Sequence, residues 1–451
     1  MNERFRLIPP LLGKALVVGA LVLLLLVPIM QVDALVGERV GMRETAARRV
    51  AESWGGPQIT AGVLLAIPVD DTRVVYSQRT ETERHVVYVL PDTLKVNAQA
   101  KPGYRSVGLY RTPVYEAHVQ VSGEFVARDF AQLLAAKEGR TVHFNEARLM
   151  VLNSEARALR AVDDFMVAGD TAEVAADSYE RFAGISTAVP ASAFNDTARI
   201  PFRVSLTLAG SSQLSFLPLA RKADIDIHSS WPHPKFEGAP APLEPTIGDD
   251  GFSAHWSVLE INRNFGQSWT DDKFRADLPV AAALSQSSVG VTFYEPVDIY
   301  QRSYRAVHYA ILFIVITFLT FFLWEHVSGL AIHPMQYLMV GLALAMFYLL
   351  LLALSEHMAF ELAYGISAAA LVGLITAYLS GALRNRALAM GAGAGLATLY
   401  TMLYWILRSE DYSLLMGALL LFGILAILMM ATRRVDWSTV ARLRGDGGAG
   451  Q

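Results

Sequence analysis

Along the chain the hydrophobic and polar positions fall into three textures, and the sharpest is an uncharged run from Met335 to Leu354 bounded by His333-Pro334 and Ser355-Glu356-His357. Some twenty helical residues at ~1.5 Å each cover the ~30 Å hydrocarbon core of a bilayer, and the proline suits a first helical turn. Four more apolar runs follow the same pattern, at 306–324, 359–380, 387–407 and 413–431. A sixth, from Leu11 to Met30, is interrupted only by Gly13, Lys14, Gly19 and Pro28. It exceeds the ~7–15 residues of a signal-peptide core, so it reads as a retained anchor that leaves the mature chain starting near Met1. Six spans are therefore expected.

Between the anchor and the later spans the period changes to two. Runs at 59–69, 84–90, 112–126, 203–210 and 213–218 are alternating or β-branched and are separated by Gly, Pro, Asp and Asn, which predicts strands. Glu44–Trp54 places Ala47, Val50, Ala51 and Trp54 on one helical face and predicts a short stalk stopped by Gly55-Gly56-Pro57. Residues 127–139 (ARDFAQLLAAKEG) predict a helix, 163–184 read as loop or helix, and the Pro-rich 237–251 reads as a long loop or joint. The expected fold is a membrane protein of α plus β class. Its parts are a cytoplasmic N-terminus and anchor (1–31), a helical stalk (32–57), a large β-rich periplasmic domain (58–304) of one or two lobes, a five-helix transmembrane bundle (305–431) and a cytoplasmic tail (432–451).

Charge sets the expected orientation. Arg384 and Arg386 share one short loop and Arg433, Arg434, Arg442 and Arg444 the tail, whereas the opposite loops carry Glu356, Glu361, Glu410 and Asp411 against Arg408 alone. The positive-inside rule and the even span number then put both termini in the cytoplasm and the β-rich part outside, in the periplasm of a Gram-negative cell. Arg39, Arg43, Arg48 and Arg49 run against the rule locally, accompanied by Asp33, Glu38, Glu44 and Glu52. A net charge of −4 gives no basic field for nucleic acid, and the absence of cysteine excludes disulfides and thiolate chemistry. The expected partners are the lipid bilayer and a periplasmic protein or cell-wall component.

Candidate chemistry is sparse. Glu325, His326 and His333 have metal-ligand side chains, as do Glu356 and His357, but a span separates the two sets by ~30 Å, and helix capping and headgroup contact are the favoured reading. Asp224, Asp226 and His228 alternate and so share one strand face, which reads as a solvated face ahead of an acid/base or metal site. In 229–236 (SSWPHPKF), Trp231 and Phe236 bracket His233 and two prolines; a rigid turn plugging a β core is favoured over an exposed recognition surface. Gly341 with Ala345 and Gly391 with Gly395 are small pairs spaced for close helix approach, and leucine at Gly391 or Gly395 is expected to force helices apart. Nucleophile-elbow, Walker A, Ser-x-x-Lys and His-Glu-x-x-His motifs are absent, so no catalytic residue and no cofactor is assigned.

The run His333-Pro334-Met335-Gln336-Tyr337-Leu338, continuing through Gly341 and Phe347-Tyr348 to Ser355-Glu356-His357, resembles the CreD family of bacterial inner membrane proteins. Shorter matches follow in order: Pro28-Ile29-Met30, Ile67-Pro68, Leu90-Pro91, Trp231-Pro232-His233-Pro234 with Phe236, Gly251-Phe252 with Trp256, Tyr309 to Leu312, and Asp436-Trp437. The resemblance implies an inner membrane protein with one anchor, a periplasmic domain and a C-terminal bundle. It also implies a link to cell envelope integrity, colicin tolerance and the stress or β-lactam response, and it supplies no catalytic residues. Two function classes stand beside each other. One is a non-enzymatic envelope component; the other is a membrane enzyme or lipid or solute handler with its site at the bundle's periplasmic mouth, near Glu356, His357 and Glu361.

Overall fold

A computed structural model describes residues 10–75, 79–134, 138–179, 182–195, 199–263, 265–271, 287–295, 299–328, 332–382, 386–409 and 413–432. The chain divides into two compact units, Met1–Met42 with Val297–Gln451, and Arg43–Pro296.

In the first unit, α1 (Pro10–Trp54) begins, followed by α3 (Ile299–Ser328), α4 (Pro334–Ser355), α5 (Phe360–Ala382), α6 (Arg386–Arg408) and α7 (Ser413–Thr432). Among the described residues α1 and α3 to α6 are long and apolar enough to cross a membrane, and α7 is a further 20-residue helix without a charged side chain. The helices α3, α4, α5 and α6 pack in sequence, and α3 also meets α6. At their centre Phe347 lies edge-on to Tyr400 (4.7 Å between centroids) and to Tyr364 (5.5 Å), and the Tyr364 hydroxyl donates to the Tyr400 carbonyl at 2.5 Å.

The small residues that matter for packing are not all those the spacing singles out. Gly341 is a real seat, since a Cβ there would lie 2.1 Å from Leu25 Cδ1 and 2.8 Å from Phe318 Cζ. Gly391 and Gly395 are exposed and face open space, whereas Gly393 between them meets Thr376 Oγ1 at 2.2 Å from a notional Cβ. Spacing of four identifies a face but not which face meets a neighbour, so the expectation for Gly391 and Gly395 is corrected to Gly393. Gly393→Leu is expected to lower folded yield and melting temperature in detergent, with Gly391→Leu unchanged; equal losses in both would place α6 in another rotation.

The second unit holds the end of α1, the helix α2 (Ala127–Leu134) and two sheets. The helix α1 stops at Gly55, whose φ of +115° and 2.7 Å approach of a notional Cβ to the Ala209 carbonyl require glycine. The first sheet contains β1 (Gln58–Val75), β2 (Arg79–Val89), β5 (Arg140–Val142), β6 (Arg148–Asn153), β9 (Ala175–Tyr179), β10 (Phe182–Ala188), β12 (Gln213–Phe216), β14 (Pro234–Glu237), β17 (Ser268–Thr270) and β18 (Val289–Phe293). The second contains β3 (Thr93–Val107), β4 (Tyr110–Val126), β7 (Leu159–Val167), β8 (Asp170–Thr171), β11 (Arg199–Ser211), β13 (Lys222–Ser229), β15 (Leu243–Gly248) and β16 (Gly251–Leu259), in the order β15-β16-β13-β3-β4-β11-β7-β8.

One core joins both sheets. Val63, Leu65 and Ile67 of β1 meet Leu94, Val96 and Ala98 of β3, Ile225 and Ile227 of β13, and Trp256 of β16 in a single buried cluster. The alternation in β3, β13 and β16 is the direct cause, because period two sends every second side chain inward. The Asp163–Gly184 stretch, read from its Ala, Asp and Glu content as loop or helix, is instead built around β7 to β10; pairing with β11 and β6 overrides local propensity. The Pro-rich 237–251 segment likewise contains the edge strand β15, returned into β16 at Gly251, where φ is +128°.

Candidate functional site

The charged residues at the ends of the membrane helices are engaged in separate contacts. Glu325, buried near the end of α3, accepts hydrogen bonds from the Lys14 ammonium, from the Ile332 N–H at 2.9 Å and from the Tyr337 hydroxyl at 3.1 Å. His333 caps α4: its Nδ1 accepts the Met335 N–H at 3.2 Å, while its own N–H donates to Gln336 Oε1 at 3.0 Å. Pro334 then begins the helix without needing a donor. The side chain of His326 lies outside the described residues. Toward the other end, Arg39 Nε approaches Glu356 at 3.3 Å and Arg302 pairs with Glu361 at 3.0 Å, while His357 is exposed.

Lys14 and Arg39 are ~37 Å apart along α1, so the two pairs mark opposite ends of a span. Glu356, His357 and Glu361 do not share a centre: two are held by different arginines and the third faces outward. Sequence reading missed these partners. The available signal was Lys14 itself, a lone charge in an apolar run, which must find a counter-charge or reach the interface.

In the β unit, Asp224, Asp226 and His228 do share the outer face of the second sheet. His255 Nδ1 lies 2.8 Å from Asp226 Oδ1, the Ser257 hydroxyl donates to Asp224 at 2.7 Å, and Asp226 and His228 pair in register with Asn97 and Gln99 of β3. The face is polar and open. Among the described residues no group of three or more His, Cys, Asp or Glu side chains is placed to hold a metal ion.

The Trp231–Phe236 segment is tied into the core through its aromatics. Trp231 is buried, donates its indole N–H to the Tyr294 carbonyl at 3.0 Å and packs near Tyr104 (5.7 Å) and Phe293 (6.0 Å). Phe236 is half-buried and edge-on to Phe252 and Trp256, each at 5.8 Å, and His233 is exposed between them. Trp231→Ala is expected to cost about 3–5 kcal/mol, a cavity plus a lost hydrogen bond, read by denaturant unfolding of the β unit's tryptophan signal. A loss below ~1 kcal/mol would mean that the pocket closes over the missing ring.

A second feature invisible in the linear sequence is an ionic hub. Arg221 reaches Asp92 at 3.0 Å, Asp129 at 2.8 Å and also Glu260, joining the start of β13 to α2 and the segment before β3. Burial raises the Asp129 carboxyl above its ordinary range against the pull of Arg221, and burial lowers Arg263 to about 10. Asp129 and Arg263 have side chains only 0% and 1% exposed, so these groups join segments of the fold and are closed to a soluble substrate.

A family model described as "Inner membrane protein CreD" matches residues 10–438. The chain is also similar to the Inner membrane protein CreD of Escherichia coli (strain K12), at 32% identity over 437 residues that cover 95% of this chain and 94% of that protein.

Proposed function

The chain belongs to the CreD family of inner membrane proteins, and from that premise we propose that it is a non-enzymatic component of the cell envelope. Its β unit faces the periplasm and binds an envelope protein or cell-wall component, its bundle holds that unit at the membrane, and its loss weakens envelope integrity and the response to β-lactams. The observation that carries this reading is the use of the membrane-end carboxylates: Glu325, Glu356 and Glu361 each meet a different cation, leaving no set of convergent acid and base groups among them. The polar outer face of the second sheet, by contrast, is broad and open, as a binding surface for a large partner requires.

The orientation rests on the arginines of 384–386 and of the tail. It is supported further by the basic residues after the anchor, since Arg39 meets Glu356 and Arg43 lies 3.6 Å from Glu295, which lowers the local positive charge. Photo-crosslinking in whole cells from positions on the outer sheet face, such as Gln99 and Gln120, tests the binding reading. Capture of one periplasmic or cell-wall species supports it, and capture of cytoplasmic proteins from those positions contradicts it. The lipid-handling alternative draws on one specific feature, a groove in the bundle at the Glu361 end.

A further inference from the structure

The helices α5 and α6 touch at one level and part at another. Gly393 seats against Thr376, but toward Glu361 the helices leave a groove of about 580 Å³. Its walls include Gly365, Ala369 and Gly373 of α5 and Tyr400 and Tyr404 of α6, with Glu361 at the mouth. The groove is not filled from within the bundle, because a Cβ added at Gly365 or at Gly373 would meet nothing within 4 Å. From Glu361 to Gly373 the groove runs ~18 Å along α5, more than half of a ~30 Å hydrocarbon core.

Polarity along this path is one-sided. The deeper part is mostly apolar, since the hydroxyls of Tyr364 and Thr401 are spent on the carbonyls of Tyr400 and Ala397 and Tyr400 is itself only 1% exposed. The mouth is charged. Glu361 is neutralised by Arg302 at 3.0 Å, and Arg408, one turn beyond Tyr404 and near the Trp405 ring (5.9 Å), is close enough to act on Glu361 electrostatically. Arg302 is taken up by Glu361, so among the described residues Arg408 is the exposed cation at the mouth. An occupant with a long apolar tail and a negative head fits both parts.

We propose that the α5–α6 groove binds one acyl chain of an anionic phospholipid, with the lipid phosphate held at Arg408. The tail takes the space that the missing side chains at 365 and 373 leave, burying apolar surface on Ala369 and Tyr404. The head stays at the membrane interface, where an arginine pairs well with phosphate. This goes beyond the envelope role proposed above and does not depend on which side of the membrane the Glu361 end faces.

The test uses the full-length protein in phosphatidylcholine nanodiscs doped with phosphatidylglycerol that carries a photoreactive group in its tail, or with the matched phosphatidylcholine probe. Labelling is expected on peptides of α5 and α6, more with the glycerol headgroup than with choline. The double substitution Gly365→Leu with Gly373→Leu fills the groove without meeting a neighbour and should reduce labelling roughly tenfold. Gly391→Leu, equally unobstructed but outside the groove, should leave labelling unchanged, and Arg408→Gln should abolish the preference for phosphatidylglycerol. Labelling that survives the filled groove, falls equally with Gly391→Leu, or shows no headgroup preference means annular lipid only and overturns the proposal. Should the filled variant misfold, mass spectrometry of the intact wild-type protein decides. One retained phosphatidylglycerol per chain supports the site, and a graded lipid distribution without a favoured one-to-one form contradicts it.

Discussion

Gly341→Leu is expected to cost about 3 kcal/mol and to leave little folded protein in the membrane. Even the first added carbon lies within 2.1 Å of Leu25 Cδ1 and 2.8 Å of Phe318 Cζ, and both of those side chains are themselves 1% exposed. The methyl end of Leu25 and the ring tip of Phe318 can shift for an alanine, but a leucine needs room for three further carbons in a packed interior. The result would be separation of α1 from α4. Membrane abundance and melting in detergent measure it, and Gly341→Ala should fall between leucine and wild type. A leucine variant with normal abundance and melting would show that α1 does not pack on this face.

Glu325 and Lys14 should give the next largest effect. Lys14→Ala leaves a buried carboxylate with only the Ile332 N–H and the Tyr337 hydroxyl as partners, and an unpaired charge in a membrane helix costs about 2.5–3.5 kcal/mol. The Lys14 side chain is 28% exposed, so water and headgroups will screen part of this, and the lower end is expected. Removing both charges, as Lys14→Met with Glu325→Gln, should recover much of the stability, because breaking a buried pair costs more than replacing it. Melting of Lys14→Met, of Glu325→Gln and of the double variant forms the cycle. Additive losses would mean that the two residues act independently.

The fold class was legible in the sequence because two periodicities are strong. Uncharged runs of about twenty residues mark spans, and the alternation in 112–126 and 203–210, which lie in β4 and β11, marks half-buried strands. The shared face of Asp224, Asp226 and His228 was legible for the same reason. Residues 163–184 were not, since Ala, Asp and Glu carry weak strand preference and their state is decided by β11 and β6, which lie elsewhere in the chain. The partner of Lys14 lies 311 positions away, and no local pattern encodes such a pair. Gly393 was passed over for Gly391 and Gly395 because a four-residue spacing is blind to helix rotation. In each miss the deciding contact is tertiary.

The central claim is that architecture and binding, with no single proton donor or ligand, carry the function. Cells lacking the protein, supplied with variants in which Asp226, His228, Glu356 or His357 is replaced singly by alanine, test it most directly when survival under detergent and β-lactam stress is read beside protein abundance. The account predicts that every variant present at normal abundance restores survival. One variant that is folded and abundant yet restores nothing would contradict it, and would place a chemical step at that residue.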